Sequence, residues 1–326
     1  MEHHMLAILL AVVIDFMIGD PPTWPHPVRW IGSGIGYLEK RLNQGKHRKA
    51  KGFFMVLLII SITFLTTLML VSVFYQLHPV LGIVAEGIII ASAIAQKGLK
   101  DAALAIYHPL RKGDMKKARE KLSYIVGRDT EHLDEKEIVR GTVETVAENT
   151  SDGVTAPLFW ALIGGAPLAM VYRAINTCDS MVGYKNEKYR EFGWASARLD
   201  DLANWIPSRL TACLIVIGNK PEVMNWKKAW KLFFRDARNH PSPNSGWLES
   251  AVAAILGVQL GGINYYQGQI SERAKIGEPV VPLNKEHIVK TNNILFRTTL
   301  LFLLVLMMGG WLYELAAAWF ESAIHI

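Results

Sequence analysis

The chain has 326 residues, of which 51% are hydrophobic and 20% charged, and its formal net charge is +6. The apolar residues are grouped in long blocks with few charges, which excludes an ordinary water-soluble chain and indicates an integral membrane protein. The basic residues lie beside these blocks, which is typical of the positive-inside rule and argues against nucleic-acid binding. The two cysteines, Cys178 and Cys213, predict neither a disulfide framework nor a cysteine metal site.

The apolar blocks predict an all-α, polytopic fold with about four to six membrane-embedded helices, some of them possible re-entrant segments. Blocks 52–74, 79–95 and 294–320 are each long enough to cross a bilayer of about 30 Å as a helix. Blocks 5–18, 154–172 and 205–218 are shorter or interrupted, so each either spans or re-enters. The first lacks a basic n-region and a cleavage pattern, and we interpret it as a retained span rather than a signal peptide.

The order of these blocks predicts a single integral membrane domain over residues 1–326, with cytoplasmic helical or loop regions at 97–153 and 219–293. Within the first region, Asp134 and Glu137 predict a capping box for a helix that ends near Asn149. The Gly-Gly-Ala-Pro break at 164–167 favours a re-entrant hairpin, which would return a polar site loop at 173–204 to the cytoplasmic face.

The first polar cluster is at the end of the helix that begins near Asp134. Glu144 and Glu148 are four residues apart and share a face, and Asn149 and Asp152 follow directly. Carboxylates at this spacing repel each other, and a magnesium ion with substrate phosphates would relieve the repulsion. The alternative is a solvated helix face, although such a face rarely ends where a membrane segment begins.

A second polar cluster lies before the apolar block 205–218. Its members are Arg198, Asp200, Asp201, Asn204 and Arg209. They suit either a metal and phosphate site or helix capping with an ion pair. Between the two clusters, Asn176, Asp179 and Lys185 are either phosphate-binding groups or interfacial polar residues.

A third polar cluster follows the first apolar block. The turn 19–22, which includes Pro22, leads to His26 and Arg29, and it indicates either a rigid functional turn or a structural hinge. A fourth polar turn contains Ser242 and Asn244, for which an ordinary loop is the stronger alternative. The sequence has no phosphate-binding P-loop motif, so an ATP site here would be unconventional.

Several of these stretches resemble the adenosylcobinamide-phosphate synthase family, membrane proteins of cobalamin biosynthesis. The matching stretches are GDPPTWPHPVRWIG at 19–32, VETVAENTSDGVTAPLFW at 143–160, YRAINTCDSMVGYKNEKY at 172–189, FGWASARLDDLANWIPSRL at 192–210 and SPNSGWLESAVAAILGVQLGG at 242–262. They follow the family's order over nearly the whole chain. Cys178 stands where an apolar residue is expected, a departure without consequence for the chemistry.

The resemblance implies ATP-dependent amide formation between adenosylcobyric acid and aminopropanol or its phosphate, giving adenosylcobinamide or its phosphate. A carboxylate does not react with an amine at neutral pH, so we expect an acyl phosphate intermediate made from ATP with Mg²⁺.

The roles of individual residues are inferred from chemistry. As ligands of magnesium and nucleotide we expect Glu144, Glu148 and Asp152, with Asp200 and Asp201 as a second acidic set. The candidate phosphate clamps are Arg128, Lys185, Arg198 and Arg209. His26 is a candidate base for the incoming amine, or a structural turn histidine. Further candidate binding residues are Arg29, Asn149, Asn176, Asp179, Asn204 and Asn244.

Two other functions stay open on the sequence: a magnesium-dependent transferase acting on a lipid pyrophosphate, and a transporter or sensor that uses the intramembrane Glu86. The expected partners are the small-molecule substrates and the lipid bilayer, with no nucleic acid and with possible association with other cobalamin-assembly enzymes or a second copy of the chain. The expected location is the inner (cytoplasmic) membrane, with the active site facing the cytoplasm.

Overall fold

The computed structural model describes residues 1–21 and 23–324, and Pro22 of the predicted proline-rich turn lies outside them. The described chain is mostly helical, as predicted. The helices are α1 (Glu2–Met17), α2 (Pro27–Leu42), α3 (Arg48–Leu77), α4 (Pro79–Ala91), α5 (Gln96–Arg111), α6 (Met115–Ser123), α7 (Glu135–Thr150), α8 (Ala156–Val182), α9 (Trp194–Ala203), α10 (Trp205–Gly218), α11 (Trp226–Asp236), α12 (Ser245–Leu256) and α13 (Glu286–Ile324). One π-helical turn, Ser151–Thr155, joins α7 to α8.

The sequence analysis did not predict a β-hairpin, which the structure places between α12 and α13. Strands β1 (Gln259–Tyr266) and β2 (Gln269–Gly277) pair antiparallel, with Gln259 opposite Gly277 and a bulge between Leu260 and Gly262. Gly261 and Gly262 have φ angles of +76° and +93°, a backbone conformation that side chains other than glycine's rarely allow.

In the described residues, four helical segments are long and apolar enough to cross a membrane. They are Arg48–Leu77, Pro79–Arg111, Glu135–Val182 and Glu286–Phe320. These segments contain the three long predicted blocks, and the chain is a membrane protein. The first predicted block corresponds to α1, whose 16 residues are fewer than these segments have. The shorter apolar helix α10 covers the block 205–218.

The chain divides into two compact units, where the sequence predicted a single domain. The first unit is Met1–Ala95, Val154–Asn204 and Leu303–Ile326, and the second unit is Gln96–Gly153 and Trp205–Phe302. The second unit thus contains both predicted polar regions, 97–153 and 219–293, in full. Each unit is described separately below.

In the first unit, α8 is interrupted at the predicted Gly-Gly-Ala-Pro break. Gly164 and Gly165 have non-helical backbone angles, with φ +62° and ψ −157° at Gly165. Ala156, before the break, shares one small buried cluster with Tyr172 and Ile175, which follow it. In a straight helix Ala156 and Tyr172 would lie about 24 Å apart, at 1.5 Å per residue. The chain therefore doubles back at the glycines, as a re-entrant hairpin requires, while the sidedness of the hairpin stays a prediction.

The buried Glu86 of α4 holds this turn. Its carboxylate accepts hydrogen bonds from the backbone N–H of Ala166 at 3.0 Å and from the Tyr75 hydroxyl at 2.6 Å. The Nδ1 atom of His4 lies 2.8 Å from the same carboxylate. A side chain at Gly165 would collide with Glu86, so the tip of the hairpin requires glycine there.

The predicted polar site loop 173–204 is helical at both ends. α8 continues to Val182, α9 begins at Trp194, and the non-helical part is therefore limited to 183–193. The indole N–H of Trp160 donates to the carbonyl of Ala203 at 3.0 Å, which fixes the end of α9 against the first half of α8.

Candidate active site

The main polar cluster of the second unit lies on α7. The Asp134 side chain accepts a hydrogen bond from the backbone N–H of Glu137 at 2.8 Å, as the predicted cap requires. From this start, α7 places Glu144 and Glu148 one turn apart on the same face. The π-helical turn that contains Asp152 follows, and π-turns are frequent at functional sites because they locally change the direction of side chains.

Glu144 is buried and its charge is fully compensated. One carboxylate oxygen accepts from the Gly261 backbone N–H at 2.8 Å and from Arg140 at 3.2 Å, and the other accepts from Arg128. Arg128, Arg140 and Glu144 are each less than 10% exposed. Because two guanidinium groups already neutralise it, Glu144 is a poor candidate for the magnesium ligand that the sequence predicted, and Arg128 is a poor candidate for a phosphate clamp.

Arg140 and Asn264 extend this cluster to the hairpin. The Arg140 guanidinium donates to the carbonyls of Gly261 at 2.7 Å and Ile263 at 2.9 Å, and also to Glu137. The Oδ1 atom of the buried Asn264 accepts from Arg128 at 2.6 Å and from Arg140 at 2.9 Å. These bonds attach β1 to α7 through buried charges.

Glu148 lies in a different environment. It is partly exposed, and one of its carboxylate oxygens accepts a hydrogen bond from the Ser245 hydroxyl at 2.7 Å. Ser245 is in the first turn of α12, where Ser242 also accepts from the Ser245 backbone N–H at 3.2 Å. Glu148 therefore lies beside the N-terminus of α12, whose partial positive charge stabilises anions.

Arg209 and Asn244 meet at this same helix start. The Arg209 guanidinium donates to Asn244 Oδ1 at 3.0 Å and to the Pro243 carbonyl at 3.1 Å. Ser208 also donates to Asn244 Oδ1, at 3.2 Å. The structure thus brings together two predicted binding residues, Arg209 and Asn244, that are 35 positions apart in sequence.

Glu249 and His240 form a buried pair next to the same cluster. Their nearest nitrogen and oxygen atoms are 3.6 Å apart, and Arg273 lies 3.3 Å from the same histidine nitrogen. Burial and the charges of Glu144 and Glu148 raise the pKa of Glu249 well above its usual value. Burial and Arg273 lower the pKa of His240, so the shifts of both groups favour the neutral forms of the pair.

Asn149 and Asp152 complete the predicted set on α7 and its π-turn. Asn149 donates from its side-chain amide to the Thr145 carbonyl at 2.9 Å, which ties it to its own helix. Both residues are partly exposed, like Glu148. Glu148, Asn149 and Asp152 thus form the accessible end of the acidic stretch, whereas Glu144 forms the buried end.

The second unit also has an open cavity of about 1120 Å³ beside the hairpin. The start of α7 and both strands line it, and its charged lining side chains include Lys136, Arg140, Arg273 and Lys275. Its size is sufficient for a large ligand.

In the first unit, His26 makes hydrogen bonds within its own turn. The Nδ1 atom of His26 accepts from the Val28 backbone N–H at 3.3 Å, so its ring proton is on Nε2, which lies 2.9 Å from Asp20. Arg29 donates to the carbonyl of Trp24 at 3.4 Å. Since both ring nitrogens of His26 are engaged in holding the turn, the geometry favours the structural interpretation over the predicted base.

The predicted residues on α8 and α9 form a second group in the first unit. The Asn176 amide donates to Asp200 at 3.2 Å, and Asp200 is buried. Burial raises the pKa of Asp201, against the opposing charges of Arg198 and Lys185. Asn204 is buried at the end of α9, and Asp179 accepts the backbone N–H of Gly183 with its own carbonyl at 2.7 Å.

Lys185 also lines a pocket of about 550 Å³ in the first unit. Arg48 and Arg190 are its other cations, and Glu187 and Glu191 also contribute. Asp200 and Asp201 therefore belong to one unit and Glu148 to the other, and their predicted joint site stays a prediction.

Among residues 1–21 and 23–324, no group of three or more His, Cys, Asp or Glu side chains is arranged to hold a metal ion. Magnesium commonly takes one or two carboxylates and completes its shell with water and substrate phosphates. Glu148 and Asp152 fit that pattern, and Glu144 does not.

The sequence analysis missed several residues of this cluster. They are Arg140, His240, Ser245, Glu249, Asn264 and Arg273. Glu249 had a readable signal, because it is the single charge in the apolar stretch 246–258 and lies four residues after Ser245. The partners of Arg140 on β1 are more than 120 positions away, a pairing that no local pattern in one sequence reveals.

Comparison with known proteins identifies the family of the chain. The sequence pattern of the CobD/Cbib protein family matches residues 8–295. The chain belongs to the CobD/Cbib family. It is 52% identical over 314 residues to a protein of Halalkalibacterium halodurans named cobalamin biosynthesis protein CobD, covering 96% of this chain and 98% of that protein.

Two further relatives with that name are 50% identical over 303 residues in Clostridium perfringens and 48% identical over 278 residues in Geobacter metallireducens. The first match covers 92% of this chain and 96% of the relative, and the second covers 85% and 87%. No solved structure matches the chain. The predicted family resemblance is confirmed over nearly the full length.

Proposed function

We propose that this CobD/Cbib protein works in cobalamin biosynthesis as an ATP-dependent amide ligase. It would join the carboxylate of adenosylcobyric acid to the amine of aminopropanol or its phosphate. The relatives' shared name supports the pathway, and the resemblance of the motifs supports the reaction. The observation that carries the proposal is the partly exposed Glu148 beside the N-terminus of α12, next to a cluster whose other charges are compensated.

The reaction has two steps in this proposal. The substrate carboxylate attacks the γ-phosphorus of ATP, and ADP leaves, which gives an acyl phosphate. The amine then attacks the acyl carbon, phosphate leaves with the bonding electron pair, and the amine loses a proton. Both steps concentrate negative charge on phosphate oxygens, so positioned cations and N–H donors accelerate them more than covalent catalysis does.

The residues at the start of α12 have the chemistry for such oxygens. Arg209 is a planar donor fixed by Asn244 and Pro243, and it packs 4.4 Å from the Trp205 ring. The backbone N–H groups of Ser245 and Trp247 already donate within the turn, and the partial positive charge of the α12 N-terminus adds to the attraction for phosphate. We assign Arg209 and Asn244 to the binding of phosphate and Ser245 to the orientation of Glu148.

Glu148 and Asp152 would hold magnesium, which supplies charge neutralisation to the transferring phosphoryl group. Glu144 instead keeps α7 and β1 in place through Arg128 and Arg140. The amine's proton needs an acceptor, and with both nitrogens of His26 engaged, solvent or a substrate phosphate is the better assignment.

Asp200, Asp201 and Lys185 in the first unit are proposed as a second binding group, with Lys185, Arg48 and Arg190 suited to an anion. The location proposed for the protein is the inner membrane, with the polar residues on the cytoplasmic side. Basic residues before α3 support this orientation through the positive-inside rule.

The position of Glu86 argues against the transporter alternative. A transport carboxylate would face a water-filled path, whereas Glu86 is fully buried and holds the hairpin tip through Ala166. A transferase acting on a lipid pyrophosphate would use similar acidic and cationic groups. The amide ligase and the transferase are therefore distinguished by which substrate the protein converts.

The decisive experiment is an assay of the purified full-length protein in liposomes with adenosylcobyric acid, aminopropanol phosphate, ATP and magnesium. We expect an amide product and ADP in equal amounts, and no ADP when either the corrinoid or the amine is left out. A folded sample that makes no amide with either form of the amino alcohol contradicts the proposal. Turnover of a lipid pyrophosphate without a corrinoid would favour the transferase.

A further inference from the structure

A strip of aromatic side chains on the second unit extends from the start of α10 to α11. We name it the aromatic strip: Trp205, Trp226, Trp230, Phe234 and Trp247. Trp230 stacks on Phe234 with ring centroids 5.6 Å apart, and Phe234 lies 6.4 Å from Trp247. The Arg209 guanidinium packs 5.0 Å from Trp247 and 4.4 Å from Trp205, which connects the two ends.

Three of the five residues of this strip are exposed, and Trp230 and Trp247 are partly exposed. Trp205, Trp226 and Phe234 are 53%, 41% and 56% exposed. Ile206, next to Trp205, is exposed to the same extent at 53%. The strip contains four of the chain's ten tryptophans, and a cluster of large exposed rings on one surface marks an interaction site.

Helix α11 separates its apolar and charged residues unusually well. It buries Ala229, Leu232 and Phe233 against the second unit, and its aromatic residues Trp226, Trp230 and Phe234 recur every four residues along the adjacent outer side. The outer face therefore has a second apolar stripe, in which Trp226 and Phe234 are exposed and Trp230 is partly exposed.

Cations border this stripe on one side. Lys227 and Lys231 are exposed and lie next to the aromatic residues on the helical wheel. Lys228 and Arg235, further round, are held by Glu278 at 2.9 and 3.2 Å and keep the helix on β2. Lys227 and Lys231 therefore lie on the same side of α11 as the aromatic strip.

We infer that the aromatic strip is a membrane-surface anchor, with its rings at the headgroup level of a bilayer and Lys227 and Lys231 on anionic lipid phosphates. Tryptophan and phenylalanine beside lysine are the composition of helices that lie in the bilayer interface. A protein partner fits less well, since lysine is depleted at protein–protein interfaces. This inference does not depend on the proposed reaction.

The anchor has a consequence for the candidate site. Arg209 contacts both Trp205 and Trp247 and also Asn244, so the strip is continuous with the phosphate-binding end of the cluster. A bilayer under the strip would place that end of the second unit close to the lipid surface.

The test uses the full-length protein in vesicles of phosphatidylcholine, with or without phosphatidylglycerol. The photo-crosslinking residue p-benzoylphenylalanine replaces Phe234 in one sample and Tyr124 in another, and lipid adducts are measured by mass spectrometry. Tyr124 is a matched control, because it is 67% exposed on the same unit and also has a lysine, Lys121, over its ring. We expect lipid adducts at position 234 and at most background at 124.

The charge part is tested with Lys227→Glu and Lys231→Glu in the Phe234 crosslinking protein. Each lysine near an anionic surface favours contact by about fivefold, so both changes together should lower the adduct yield strongly in vesicles with phosphatidylglycerol. In phosphatidylcholine alone the yield should change little. The inference is overturned by absent lipid adducts at position 234, by equal yields at 234 and 124, or by crosslinks from 234 to a protein.

Discussion

The C-terminal half of α7 carries two glutamates in opposite surroundings. Glu144 is buried between Arg128 and Arg140 and accepts a backbone N–H from β1, whereas Glu148, one turn later, is partly exposed and accepts a serine hydroxyl. A carboxylate whose charge is compensated by fixed arginines holds structure together, and one that keeps access to solvent is available for ligands. Identical residue types at helical spacing therefore have different proposed roles, and substitutions can separate them.

The largest expected effect is on stability, from Glu144→Gln. The change leaves the buried Arg128 without its carboxylate and Arg140 with Glu137 alone, and removing one member of a buried pair costs about 3–5 kcal/mol. We expect a large fall in the apparent Tm of the detergent-solubilised protein and faster amide hydrogen exchange in β1 and β2. The control is Glu272→Gln, an exposed carboxylate on β2, with an expected change within about 0.5 kcal/mol. Wild-type stability in Glu144→Gln would mean that the buried cluster does not hold the hairpin.

The next effect is on turnover, from Glu148→Gln. The substitution keeps the acceptor for Ser245 but removes the charge proposed to bind magnesium, so kcat should fall by about 10²–10³ while Tm stays close to wild type. Ser245→Ala, which removes only the orienting hydroxyl, should cost about tenfold. Initial rates of amide formation and thermal unfolding of the same samples check both. If Glu148→Gln retains full activity, Glu148 is not in the site. If it unfolds like Glu144→Gln, the proposed difference between the two glutamates of α7 is wrong.

A smaller effect is the pH dependence of stability that comes from Glu249. Its folded-state pKa is raised above the unfolded value near 4.5, so its contribution is complete below that value and is lost as the pH rises toward the folded-state pKa. The loss can reach about 1.4 kcal/mol per pH unit. Glu249→Gln has no proton to lose, so its Tm relative to wild type should increase as the pH rises above about 4.5 in the presence of a chelator.

The pKa shift of His240 changes stability with pH in the opposite direction, so His240 serves as the control for that experiment. Its folded-state pKa is lowered, so its contribution is complete above about 6.5 and is lost as the pH falls below that value. His240→Gln should therefore remove pH dependence on the acidic side. A Tm difference between Glu249→Gln and wild type that stays constant across the range would show that Glu249 is ionised in the folded protein.

The sequence was sufficient for features that depend on local pattern. The long apolar segments, the Asp134 cap of α7 and the break at Gly164 and Gly165 follow from hydropathy, capping chemistry and glycine. The motifs also predicted the family, since their order along the chain is specific.

Features that depend on contacts between residues far apart in the sequence could not be predicted from it. The adjacent Glu144 and Glu148 looked equivalent, because their difference comes from Arg128, from β1 and from Ser245, which is 97 positions beyond Glu148. The hairpin was also missed: its strands contain three glycines, a residue that weakens strand patterns, and the buried charges of α7 hold it from outside its own sequence.

The smallest expected effect is that of Arg209→Lys. It tests whether Arg209 binds phosphate beside Glu148. Lysine keeps the positive charge but lacks the planar fork that reaches both Asn244 and Pro243 and stacks on Trp205. We expect KM for ATP to rise by about tenfold or less, equivalent to about 1.4 kcal/mol or less, with kcat reduced less. Arg209→Gln, which also removes the charge, should raise KM further. If both variants lower Tm equally and leave KM unchanged, Arg209 only fastens α10 to the start of α12, and the phosphate-binding role belongs to other residues.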